Sequence, residues 1–174
     1  MEPKNTSGIA TLLTKEARFR LLEESIPRLH KCLDRLTESD IWFRPNQNTV
    51  SIGNLVLHLC GNVRQWLISG MGGAPDHRKR QLEFDEEGPI ASVELHKMLD
   101  QLAAEIQAIL ERLSSEDLVS EYDVQGHRVS GVSILVHVVE HFSYHVGQVT
   151  ILVKSRKDVD MGYYQGQDLE QRNE

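Results

Sequence analysis

The chain has 174 residues, 40% of them hydrophobic and 26% charged, with a formal net charge of -7. This supplies enough apolar residue for one compact core and excludes a disordered chain, while the acidic balance argues against a nucleic-acid partner, which needs clustered Lys and Arg. No apolar run approaches the roughly 20 residues of a membrane span, and the first residues show no basic segment followed by an apolar one, so a cytoplasmic protein with no membrane contact is expected.

Taken in chain order, the first helical pattern runs from about Ile9 to Leu36, with Leu12, Phe19, Leu22, Ile26, Leu29 and Leu33 as its stripe. Pro27 lies inside it, lacks a backbone donor and predicts a kink or break. A cap or short turn at Thr37 to Asp40 leads into the connector Trp42-Phe43-Arg44-Pro45-Asn46, which Pro45 makes extended. Ser51 suits the N-cap of a second helix from about Ile52 to Ser69, stopped by Gly70-Met71-Gly72-Gly73-Ala74-Pro75. A polar stretch runs to Pro89 and contains the basic run His77-Arg78-Lys79-Arg80, which reads as a solvated loop rather than a phosphate site. A third helix is expected from about Ser92 to Leu113.

Asp117 to Val132 has no helical period. Val119, Tyr122, Val124 and Val129 flank Gln125-Gly126-His127, the pattern of a small hairpin or an irregular crossover. The fourth helix, from about Ser133 to Lys154, is followed by a polar tail, 155–174, expected to be flexible. No internal repeat is visible. Four amphipathic helices with one short extended insert between the third and fourth predict an all-α four-helix bundle. It forms a single domain over 1–174 with its core at about 9–154. Cys32 and Cys60 fall inside helical patterns with no C-x-x-C spacing and read as buried free thiols.

The fourth helix carries His137, His141 and His145 at every fourth position, so neighbouring pairs stack on one face. Its apolar stripe passes through Leu135, Val138, Phe142, Val149 and Leu152. At about 100° per residue, His145 lies roughly 35° from the stripe's centre, His141 about 75° and His137 about 115°. His141 and His145 are therefore the inward pair, and His137 borders them or faces solvent. On the second helix His58 shares a polar strip with Asn54, Asn62 and Gln65, beside the apolar face. Three imidazoles from two helices would leave a bound metal with open positions, as catalytic sites do. The plainer alternatives are a satisfied core histidine at 145, a boundary hydrogen bond at 58, and a surface pair at 137 and 141. Gly147 is either a helix-packing glycine or a place of close backbone approach.

With these elements in place, the chain resembles the DinB/YfiT-like superfamily of four-helix metalloproteins. The resemblance rests on His58-Leu59 in the second helix, on His141-Phe142-Ser143-Tyr144-His145-Val146-Gly147-Gln148 in the fourth, and on the W-x-R-P connector Trp42-Phe43-Arg44-Pro45. It covers roughly Phe19 to Val153. It implies a metal-binding triad of His58, His141 and His145, a divalent metal that is usually zinc or nickel, a small-molecule substrate and frequently a homodimer. Many members read H-x-x-H-H-R-G-Q; here Tyr144 and Val146 stand for the middle His and the Arg, so no particular thiol cofactor follows. Asn62, Tyr144 and Gln148 are the candidates for orienting ligands, bound water or a cofactor.

The function this resemblance implies is a metal-dependent transferase, passing a low-molecular-weight thiol to a small electrophile, with sulfur supplied by the cosubstrate. Cys60, two residues from His58, points elsewhere and is a poor ligand. A second possibility is a hydrolase using metal-bound water, for which Glu140 is the nearest general base in sequence. A third is a non-enzymatic dimeric bundle with a structural or vacant metal site. No catalytic residue beyond the metal ligands is assigned.

Overall fold

The structure is a computed structural model that describes residues 4–172. Helix α1 (Lys4–Arg18) continues through a π-helical segment, Phe19–Ser25, into α2 (Ile26–Leu33). Instead of breaking at Pro27, the helix widens just before it: the Ile26 N–H reaches the Leu21 carbonyl, a five-residue step. The wider turn relieves the contact that a proline ring makes with the preceding turn's carbonyl. It also re-phases the helix, so the buried face upstream falls on Ala17 and Leu21, while Leu12 and Phe19, expected on the stripe, are exposed.

Thr37 caps the short α3 (Glu38–Ile41) with a reciprocal bond to Asp40. Ser51 caps α4 (Ile52–Val63) in the same way with Asn54, and α4 widens into a second π-helical segment, Arg64–Met71. The polar stretch that follows holds a helical turn the sequence reading did not contain, α5 (Arg80–Asp85). Then come α6 (Ser92–Leu110), α7 (Ser115–Val119), the hairpin β1 (Glu121–Val124) and β2 (His127–Ser130), and α8 (Gly131–Lys157). The hairpin turns at Gln125 and Gly126, both at positive φ, as a two-residue turn matched to strand twist requires.

The four long helices form a ring of neighbours: α6 and α8 each pack against both α2 and α4. Leu21, Leu29, Leu59, Leu99, Ile106 and Phe142 lie fully inside. At this burial each contributes roughly 1.5–3 kcal/mol relative to exposure. The hairpin leans on the Arg64–Met71 segment and on α8. The architecture is thus the all-α bundle with a short hairpin insert that the sequence predicts. Part of the tail after α8 packs on the bundle. Met161 is buried, and Tyr163 Oη lies 3.2 Å from Cys32 Sγ and 2.9 Å from Thr150 Oγ1, so apolar burial and a polar partner fasten it to α2 and α8. Both cysteines are free and buried, as expected. No helix among the described residues is long and apolar enough to cross a membrane.

Candidate metal centre

Helix α4 presents His58 and α8 presents His141 and His145 to one point. One ring nitrogen from each lies within 4.8 Å of the others. Nε2 of His58 and Nε2 of His141 are 3.1 Å apart. His145 donates from Nδ1 to Gln148 Oε1 at 2.7 Å, which leaves its Nε2 as the lone pair free to ligate. Two nitrogens held by a tetrahedral ion at about 2.0–2.1 Å stand about 3.3 Å apart, close to the His58–His141 separation. His58 is 5% exposed and the other two are half-buried.

Electrostatics favour the ligand form of His141 and His145. Burial, and then the neighbouring imidazoles of His145, His58 and His137, push the His141 pKa down to about 3. Burial also lowers His145, against the Gln148 bond. Neutral imidazole is the form that binds a metal.

A layer behind His58 was absent from the sequence reading. Glu83 on α5 accepts from His58 Nδ1 through Oε2 at 2.9 Å, which turns the Nε2 lone pair inward. Arg78 grips the same carboxylate twice, Nε to Oε1 at 2.7 Å and Nη2 to Oε2 at 2.8 Å. Arg78 Nη2 also lies 3.2 Å from His58 Nδ1. Since guanidinium cannot accept, the Nδ1 proton belongs to the Glu83 bond. Burial opposes the Glu83 charge, but the bonds to Arg78 and His58 prevail and hold its carboxyl below the ordinary value. The basic run read as a solvated loop is therefore corrected at Arg78, whose side chain is 5% exposed because it neutralises a buried carboxylate.

What brings α5 onto α4 is a set of polar bonds from the connector and the helix cap. Asn54 donates from Nδ2 to the carbonyls of Glu83 and Glu86 at 2.9 and 2.7 Å. Arg44, in the W-x-R-P connector, donates to Asn54 Oδ1 at 3.1 Å and to the Phe84 carbonyl at 2.8 Å. Phe84 then covers His58, with ring centroids 4.9 Å apart. Gly61, one turn beyond His58, makes room for this layer: a Cβ there would stand 2.0 Å from Glu83 Oε1.

The other expected residues divide. Gln148 orients His145, as described. Asn62 is buried and donates from Nδ2 to His137 Nε2 at 3.2 Å rather than to the three clustered rings. His137 lies flat on Trp66, centroids 3.8 Å apart, and borders His141 at 5.4 Å. Tyr144 is 62% exposed, with its ring edge against His145, so it lines the rim rather than the interior. Asn62 Oδ1 and His141 Nδ1 are buried with no hydrogen-bond partner. Gly147 has nothing within 4 Å of where a Cβ would stand, so it serves no close approach. Cys60 is not among the clustered donors, and burial pushes its thiol up to about 12.

Comparison with known proteins agrees with this architecture. The family described as "Protein of unknown function (DUF1572)" matches residues 9–163. The uncharacterized protein YjoA of Bacillus subtilis (strain 168) is 22% identical over 136 residues, covering 76% of this chain and 84% of YjoA. The crystal structure of YjoA, described as a DinB-like protein, superposes with a TM-score of 0.64 at 18% identity, over 83% of this chain and 94% of that one. A DinB-like protein from Bacillus cereus ATCC 10987 gives 0.62 at 18% identity, over 77% and 87%. The family model spans both histidine-bearing helices and shows that the chain belongs to the DUF1572 family, and the solved structures show that it has the fold of the DinB-like proteins.

Proposed function

We propose that the chain is a metal-dependent enzyme in which His58, His141 and His145 hold a divalent ion, zinc or nickel, and which transfers a low-molecular-weight thiol to a small electrophile. The observation that carries this reading is the convergence of three imidazole nitrogens, with two of the rings fixed from behind by Glu83 and Gln148. That is the outer support a metal-binding histidine needs. Three neutral nitrogen donors suit borderline ions such as zinc and nickel. A metal there supplies Lewis acidity, which lowers the pKa of a thiol and makes thiolate available at neutral pH.

The residues of the chain divide the remaining work. Glu83 and Gln148 set the direction of the His58 and His145 lone pairs. Arg78 keeps Glu83 ionised, and Phe84 shields His58 from water. Tyr144 stands at the rim, where an electrophile approaches. The thiol reading is preferred over hydrolysis because the bordering groups that could take a proton from water are committed elsewhere. Glu83 accepts from Arg78 and His58, His137 accepts from Asn62, and Glu140, one position before His141, projects about 100° away from it. A thiol starts from a pKa of about 8.5 and, bound at a metal, would lose its proton to solvent without a side-chain base, whereas water starts from about 15.7.

The test is metal analysis of protein purified without a histidine tag, followed by incubation with bacillithiol, glutathione or cysteine and a chlorinated aromatic acceptor. About one equivalent of zinc or nickel in the wild type, lost in His141→Ala, with thiol-dependent product, is the expected result. Equal metal binding by wild type and His141→Ala sinks the metal site. Metal without thiol-dependent turnover across the panel transfers the site to hydrolysis with metal-bound water.

A further inference from the structure

Far from the histidine triad, helices α2 and α6 carry the same five-residue pattern. His30-Lys31-Cys32-Leu33-Asp34 and His96-Lys97-Met98-Leu99-Asp100 both read H-K-x-L-D. Leu33 and Leu99 anchor each turn in the core. That leaves His30 and His96 facing one another, with stacked rings whose centroids are 4.8 Å apart and whose planes differ by 13°. Each histidine also faces the aspartate of the other helix: His30 Nε2 lies 3.1 Å from Asp100 Oδ1, and His96 Nε2 lies 3.4 Å from Asp34 Oδ1.

This pairing fixes the proton positions. A carboxylate beside Nε2 favours hydrogen on Nε2 in each neutral ring, which leaves the lone pair on Nδ1. The two Nδ1 atoms are 2.6 Å apart. Two acceptors at that distance repel unless a positive centre lies between them. The two aspartates supply charge to offset a divalent ion, and their own oxygens remain at the outer edges, where they orient the rings.

We propose that His30 and His96 form a second site for a divalent transition-metal ion, which bridges α2 to α6 through the two Nδ1 atoms, with water completing its shell. Imidazole nitrogens and water suit zinc, nickel and copper. Binding needs the nitrogens to open from 2.6 Å to about 3.3 Å, a small ring rotation for side chains that are 24% and 25% exposed. The site shares no residue with the triad and stands or falls independently of it.

Cu²⁺ is the probe, because it binds imidazole most tightly of the three ions and its EPR spectrum counts coordinated nitrogens. Equilibrium dialysis is run on the full chain, on His30→Ala and on His96→Gln, each with the triad intact and again in a His141→Ala background. In both backgrounds the parent should bind one more equivalent than either variant, and the difference spectrum should show two nitrogens. Cu²⁺ should also raise the parent's Tm more than that of His96→Gln, since it ties two helices. Equal stoichiometry in the parent and both variants overturns the site and leaves the pair sharing a proton. A difference spectrum with one nitrogen also overturns the bridge. Circular dichroism of His96→Gln, a polar exchange at a side chain one quarter exposed, verifies that the fold is retained.

Discussion

Glu83 decides which nitrogen His58 offers. Its carboxylate holds the Nδ1 proton and keeps the Nε2 lone pair aimed at His141 and His145. Outer partners of this kind are worth about 10–100-fold in metal affinity. Glu83→Gln keeps an acceptor and removes the charge, so it should weaken zinc binding by about 10-fold with the helical spectrum unchanged. Gly61→Ala tests the same contact from the other side: its methyl group would take the place of Glu83 Oε1, push the carboxylate off His58 and reproduce the affinity loss without altering a polar group. A competition titration against a chromogenic chelator reads both variants, and wild-type affinity in Gly61→Ala would show that Glu83 is not the orienting group. Helical spacing made the inward pair of His141 and His145 legible in the sequence and set His58 on a polar strip, while the choice of His58 as their third member came from the family resemblance. Glu83 and Arg78 were not, because they sit in a polar stretch without period, whose docking depends on the Asn54 amide and the Arg44 guanidinium. The available signal was Gly61, a helix-weakening residue in mid-helix, which marks close approach.

Among the elements, the smallest helix makes a clasp across the bundle. Asp40 on α3 is 8% exposed at its side chain, bonds Thr37 at its own cap, pairs with Lys157 and accepts from Arg156 Nε at 2.8 Å at the end of α8. Arg156 also lies over the Phe43 ring, 3.9 Å from its centroid. Lys157, then Thr37 and Arg156, hold the Asp40 carboxyl far below its ordinary value of 3.8. A carboxyl depressed in the folded chain binds fewer protons there than in the unfolded chain between the two pKa values. Its stabilisation is therefore complete above about pH 4 and is lost as pH falls toward the folded value. Asp40→Asn should cost about 1–3 kcal/mol at pH 7, the worth of hydrogen bonds to charged groups, and should flatten the acid limb of stability below pH 4. Urea unfolding at a series of pH values measures both effects, and parallel acid limbs for wild type and variant would refute the clasp. The main helices, the Ser51 cap and the hairpin follow from local pattern and were readable. The face of α1 was not, because the π-helical segment before Pro27 adds residues to a turn and rotates everything upstream, burying Ala17 in place of Leu12. Helix α5 was hidden for the opposite reason: it buries no residue fully and is held by polar bonds from other elements.

At the scale of the molecule, the fold does not depend on the proposed metal. The core runs unbroken from Leu21 and Leu29 through Leu59, Leu99 and Ile106 to Phe142, and none of these is a proposed ligand. The triad sits at the edge of that core, where His141 and His145 keep partial exposure. Folding without metal thus sacrifices no apolar burial, in contrast to small zinc domains, which are unfolded without their ion. Linkage limits the remaining effect, since a ligand at 100 times its Kd stabilises by about 2.7 kcal/mol. For a chain of this size 1 kcal/mol shifts Tm by roughly 2–4 °C, so removal of a bound ion should lower Tm by about 5–11 °C. Chelated protein should retain its helical circular dichroism and a single cooperative transition, and should regain metal when zinc is returned. Loss of helix on chelation at 25 °C would make the ion structural and move it out of the catalytic role. Retention of fold with loss of thiol-dependent turnover ties the ion to the chemistry alone, because the apolar core holds the bundle and the histidines are left free to serve the site.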